Sequence, residues 1–88
     1  MSVGEVLRQL QQAREHADRA RAMIRSALEE VSRADVLVRE SLRGVSDQTL
    51  IGVVDRTRQQ LVDAGQGTTE TTVRIDETIA RLGGRGNW

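Results

Sequence analysis

The chain has 88 residues with no Cys, Pro, Phe or Tyr and a single Trp, so it holds one small domain whose core must come from Val, Leu, Ala, Ile and Met. All 13 basic residues are Arg and are matched by 13 acids, which leaves no net field toward nucleic acid or anionic lipid, and zero Cys excludes disulfides and thiolate-held metals. The absence of Pro and the 30% charged content favour long helices.

The N-terminal Met1-Ser2-Val3-Gly4-Glu5 carries no basic segment and no apolar stretch follows, which argues against a signal peptide. The longest apolar runs, Val36–Val38 and Leu50–Val54, fall far short of the ~20 residues of a membrane span. A cytoplasmic location is the expectation, with export by a route independent of a signal peptide left open.

The first predicted element is a helix over 3–43. Val3, Leu10, Ala17, Ile24, Val31 and Val38 recur every seven residues, and Val6, Ala13, Ala20, Ala27, Ala34 and Ser41 follow at an offset of three. A strict seven-residue repeat predicts a left-handed supercoil against another helix, with an Ala-rich seam that permits close approach. Ser2 and Glu5 form a capping-box pattern at its start, and Gly44 supplies a left-handed stop after its end.

A short turn at 44–46 makes the second element return antiparallel. That helix is expected over 47–82, capped by Ser46 or Asp47. One heptad series is Val54, Leu61, Thr68, Ile75 and Leu82, and its companion is Leu50, Thr57, Ala64, Thr71 and Thr78. The stretch Ala64–Thr72 holds two Gly and four Thr, roughly 4–5 kcal/mol poorer in helix propensity than polyalanine. A break at Gly65–Gly67 with a third helix is therefore the alternative. Continuity is favoured because the heptad phase passes from Leu61 to Ile75 without a slip. Opposed residues should sum to about 90, which sets Gly65 and Gly67 against Met23 and Ile24. Residues 83–88 read as a Gly-rich tail, on which Trp88 either trails in solvent or folds beside Val3, Val6 and Leu7.

The expected fold is thus all-α: a long, coiled-coil-like antiparallel hairpin over residues 1–82 that pairs into a four-helix bundle. No catalytic, cofactor or metal site is signalled. His16 is the only His and sits among charged residues, the Glu-x-x-His pattern of di-iron bundles is absent, and adjacent carboxylates such as Glu29-Glu30 point to different faces. Gly83-Gly84-Arg85-Gly86 precedes no helix that could cradle a phosphate. Ion pairs are expected at i,i±4 for Glu15–Arg19, Arg14–Asp18, Glu29–Arg33, Arg25–Glu29 and Asp35–Arg39. The candidate functional residues are apolar side chains that a two-helix seam cannot cover, namely Leu28, Val36, Leu37, Leu42, Ile51, Val53 and Val62, and such residues usually mark an interface.

The segments Ser2-Val3-Gly4-Glu5-Val6, the Ala-spaced helix ending in Leu42-Arg43-Gly44, and Ile75…Ile79…Leu82-Gly83 carry a resemblance. The layout resembles short, largely uncharacterised actinobacterial helical-hairpin proteins, and is similar to helical N-terminal segments ahead of deaminase-type polymorphic toxin domains. The deaminase zinc motif is missing, so the resemblance implies a partner or delivery module without toxic activity. The size and plan are also similar to small secreted Trp-x-Gly hairpins, but Gly44-Val45-Ser46 stands at the turn and no Tyr exists for their export signal.

The functional expectation is a non-enzymatic helical interaction module, a homodimer or a heterodimer with another helical protein, acting as helper or adaptor to a toxin or secreted protein. No small-molecule substrate is implied. The alternative is a small nucleic-acid-associated protein using its Arg-rich helix faces. Interspersed acids and the lack of stacking aromatics weigh against it.

Overall fold

The computed structural model describes residues 2–86, and side chains through residue 84. Two helices, α1 (Val3–Ser41) and α2 (Gln48–Gly86), form an antiparallel hairpin 69 Å long and 17 by 15 Å across. At 39 residues each, the helices span about 58 Å, so the molecule is little more than the pair laid side by side.

Local chemistry sets the ends. The Ser2 hydroxyl accepts from the Glu5 N–H at 3.1 Å. After Ser41 the chain turns through Leu42–Gly44, where Gly44 takes φ +82°, a conformation costly for any residue with a Cβ. Asp47 then caps α2, its carboxylate accepting from the Leu50 N–H at 3.0 Å. The first helix starts at Val3 as expected and ends two residues early, at Ser41, so the connection, expected over 44–46, runs over 42–47.

The Gly-Thr stretch is helical throughout, so there is no third helix at Gly65–Gly67. Threonine hydroxyls satisfy themselves on the helix's own carbonyls. Thr68 and Thr69 both donate to the Gly65 carbonyl, Thr71 to Gly67 and Thr72 to Thr68, at 2.8–3.1 Å. Gly65 admits the partner helix closely, since a Cβ placed on it would stand 3.6 Å from Cγ2 of Ile24. The helix also continues past Leu82 through Gly83 and Gly84 to Gly86, where a tail was expected; with no Pro in the chain, nothing forces a stop at 83. Trp88 lies outside the described residues.

The expected heptad stripes are half correct. Leu10, Ala17, Ile24, Val31 and Val38 are half-buried in the seam, as are Val54, Leu61, Thr68, Ile75 and Leu82. The companion stripes hold in part: Val6, Ala20 and Ala27 on α1 and Thr78 on α2 are half-buried as expected. Ala13, Ala34 and Ser41 are exposed on α1, and Leu50, Thr57, Ala64 and Thr71 on α2. Their places are taken by Leu7, Leu28, Asp35 and Leu42, and by Ile51, Arg58, Gly65, Thr72 and Ile79. Two effects drive this rotation. A straight helix drifts ~20° per heptad, which amounts to one residue over five heptads. Burying Leu and Ile also removes more apolar area from water than burying Ala and Thr.

The hairpin nevertheless buries no apolar side chain fully among the described residues. Its accessible surface is 6563 Å², against about 5,200 Å² for a compact monomer of this mass. Its radius of gyration is 19.7 Å, against about 12 Å for a globular domain of this length.

Candidate functional site

Because the seam is a single line of contact, the surface of the hairpin divides into two long flanks. Ion pairs between the helices identify the first. Asp35, 8% exposed, accepts from Arg39 Nε at 3.0 Å and from Arg58 Nη2 at 3.1 Å. Arg39 also reaches Asp55 at 3.4 Å. Toward the open end, Arg14 Nε donates to Asp76 at 2.6 Å while its Nη1 reaches Asp18 at 3.5 Å. The hydrogen bond and charge of Asp76, with Asp18 adding its charge, raise the Arg14 guanidinium above its ordinary pKa. These contacts also fix the register. Arg14 opposes Asp76 and Ile24 opposes Gly65, while near the turn Asp35 opposes Arg58.

Between the two sets of ion pairs lies a shallow cleft of about 290 Å³. Ile24, Leu28, Val62 and Gly65 form its apolar floor, with Arg21, Arg25, Gln66 and Thr69 around it. A second hollow, about 360 Å³, sits at the turn and is lined by Leu42, Val45 and Ile51 with Arg39 and Gln48.

The second flank carries the displaced companion stripes. On α1 it runs through Met23, Ala34, Leu37 and Ser41, with the half-buried Ala20 and Ala27 at its seam edge; on α2, through Leu50, Val53, Thr57, Ala64, Gly67 and Thr71. Met23 and Leu37 are 67% and 63% exposed, and Leu50 and Val53 are exposed beside them. Glu30 is the sole ionisable residue on this face between residues 20–41 and 50–71, and its carboxylate is held by Arg33.

The structure does not bring the seven candidate residues onto one surface. Leu28 and Val62 lie in the floor of the cleft, and Leu42 and Ile51 line the hollow at the turn, all four half-buried. Leu37 and Val53 lie on the uncharged flank, and Val36, 55% exposed, projects from the back of α1. Of the expected helix-surface ion pairs, Arg14–Asp18 and Asp35–Arg39 form. Arg33 pairs with Glu30 in place of Glu29, and Arg19 donates to His16 Nδ1 at 2.9 Å. Sequence reasoning missed the Asp35–Arg58 pair. Part of its signal was present: Arg58 is the charged member of the seven-residue series Ile51, Arg58, Gly65, Thr72 and Ile79, Asp35 stands midway between Leu28 and Leu42, and the two numbers sum to 93, close to the expected register.

No group of three or more His, Cys, Asp or Glu is placed to hold a metal ion among the described residues, and no described helix is long and apolar enough to cross a membrane. The sequence profile described as "Family of unknown function (DUF6244)" matches residues 1–87. The chain belongs to this family. The matched span takes in both flanks, the cleft and the turn, so the DUF6244 unit is the whole hairpin. No curated protein and no solved structure matches the chain.

Proposed function

We propose that this chain is a non-enzymatic helical interaction module, one that completes its fold and performs its role by packing against another helical surface. The observation that carries the reading is the combination of two 39-residue helices with no fully buried apolar side chain. Large apolar residues that a finished domain would cover, Met23, Leu37, Leu50 and Val53, stand in solvent along one side. Contiguous apolar surface of this kind marks association surfaces. A role as helper or adaptor to a toxin or secreted protein follows from the resemblance of the layout to toxin-leading helical segments.

Size exclusion with light scattering, together with heparin chromatography, tests the reading. The expected result is a mass above 9.8 kDa, or a stable complex with a second helical chain, and no retention on heparin at physiological ionic strength. A monomer that binds no apolar dye and elutes from heparin only as salt rises would replace the module with the nucleic-acid reading.

A further inference from the structure

We infer that the occupant of the uncharged flank is a second copy of this chain, docked face to face to make a four-helix bundle. The inference rests on the interaction-module reading and gives that module its partner and its face. Three observations converge on it.

The first is area. The uncharged flank spans residues 20–41 and 50–71, about 33 Å of helix, and is at most as wide as the 17 Å hairpin, so two copies in contact cover roughly 550 Å² each. The total, about 1,100 Å², just clears the ~1,000 Å² that a specific protein–protein interface needs. It is also of the order of the surface by which this chain exceeds a compact monomer.

The second is an unused repeat. The seven-residue spacing of Thr57, Ala64 and Thr71 on α2, answered on α1 by Ala34 and Ser41, lies exposed beside the line on which α1 and α2 meet, with Ala20 and Ala27 half-buried at its edge. The exposed part of that repeat is the spacing by which helices pack on one another, and it meets no helix within the chain.

The third is charge. An isologous contact sets the same patch against itself, so any net sign on it repels. This flank holds Glu30 alone, neutralised by Arg33, whereas the opposite flank presents Arg21 and Arg25, which make no ion pair among the described residues. The face suited to its own copy is the uncharged one, with Met23 and Leu37 as its bulky anchors.

Gly67 gives a test that separates docking from folding. A side chain there meets open space, nothing lying within 4 Å of a built Cβ, and Glu is a better helix former than Gly. Gly67→Glu therefore keeps or strengthens the helix while setting two carboxylates into the proposed interface. Wild type, Gly67→Glu, Leu37→Glu and, on the cleft flank, Thr69→Glu are compared by light scattering over a concentration series, with circular dichroism recorded on the same samples. The expected wild type is a dimer of twice 9.8 kDa. Gly67→Glu and Leu37→Glu weaken it at least ten-fold with helicity retained, and Thr69→Glu leaves it intact. A dimer that survives both flank variants, or that only Thr69→Glu breaks, overturns the assigned face and leaves the module reading standing. A wild type larger than two copies overturns the closed bundle. A helical wild type that stays monomeric at every concentration overturns the second copy, and if it also binds no apolar dye it overturns the module reading with it.

Discussion

The two flanks of the hairpin come from seven-residue series that stand one position apart in the sequence, yet they are opposites in chemistry. On one side Asp35, Arg39, Asp55 and Arg58 form a charged network next to the turn, and Arg14 and Asp76 close the far end. On the other, alanines, threonines and a glycine run beside four exposed large apolar side chains. The difference teaches what each flank is for. Charges that satisfy one another within the chain fix the register of α1 against α2 and are complete as they stand. Exposed apolar side chains gain from being taken out of water, which is why the proposed association is placed on their flank.

The strongest way to break the comparison is to damage the charged network. Replacing Asp35 by Leu removes the one acceptor of Arg58, whose Nε is already buried without a partner. The loss should be about 1–3 kcal/mol in urea unfolding, below the full cost of an orphaned buried charge because Arg58 and Arg39 keep partial contact with water. The double change Asp35→Leu with Arg58→Leu should recover most of it by turning the network into ordinary apolar seam. If the single variant is as stable as wild type, register is set by the apolar stripes alone.

A smaller effect, of opposite sign, is expected at the glycines. Gly65→Ala and Gly67→Ala should each stabilise by about 0.5–1 kcal/mol, because both lie in continuous helix and neither new methyl meets an obstacle. Thermal unfolding of the two variants checks this, and a loss at Gly65 would show that Ile24 has no room to receive the methyl.

The least effect belongs to Arg14→Gln. Arg14 and Asp76 are both exposed, so the variant should lower the unfolding midpoint slightly at low salt and match wild type at high salt. A deficit that persists at high salt would give this pair a packing role.

How much of this was legible in the sequence follows from the same comparison. Helix ends are written in local chemistry, so Ser2 and Asp47 could be read as caps, and the short connection dictated the antiparallel return. The stripes through Ile24 and Leu61 were legible because they stay apolar however the helix is rotated. The companion phase was legible only in part, at Val6, Ala20, Ala27 and Thr78. Counting apolar residues scores Ala27 and Ala34 as highly as Leu28 and Leu42, and it penalises Asp35 and Arg58, which neutralise each other only when the two helices are set side by side. The Gly-Thr stretch looked like a break because propensity scales treat each residue alone. What scales leave out is packing: Thr68 and Thr72 are set in the seam and Gly65 lets Ile24 approach, while the threonine hydroxyls find partners on the helix's own carbonyls. The candidate interface was recognised as exposed apolar surface, but its members scattered over three faces, since which side of α1 meets which side of α2 is a property of the register.

The central claim is that this hairpin is an unfinished fold whose uncharged flank must be covered. A thermal unfolding series followed by circular dichroism over a hundred-fold range of protein concentration tests it most directly. If association supplies the missing burial, the midpoint climbs with concentration and helicity falls at the most dilute end. A midpoint that stays the same at every concentration, with full helicity in the most dilute sample, would show that two helices with no buried apolar core stand on their own.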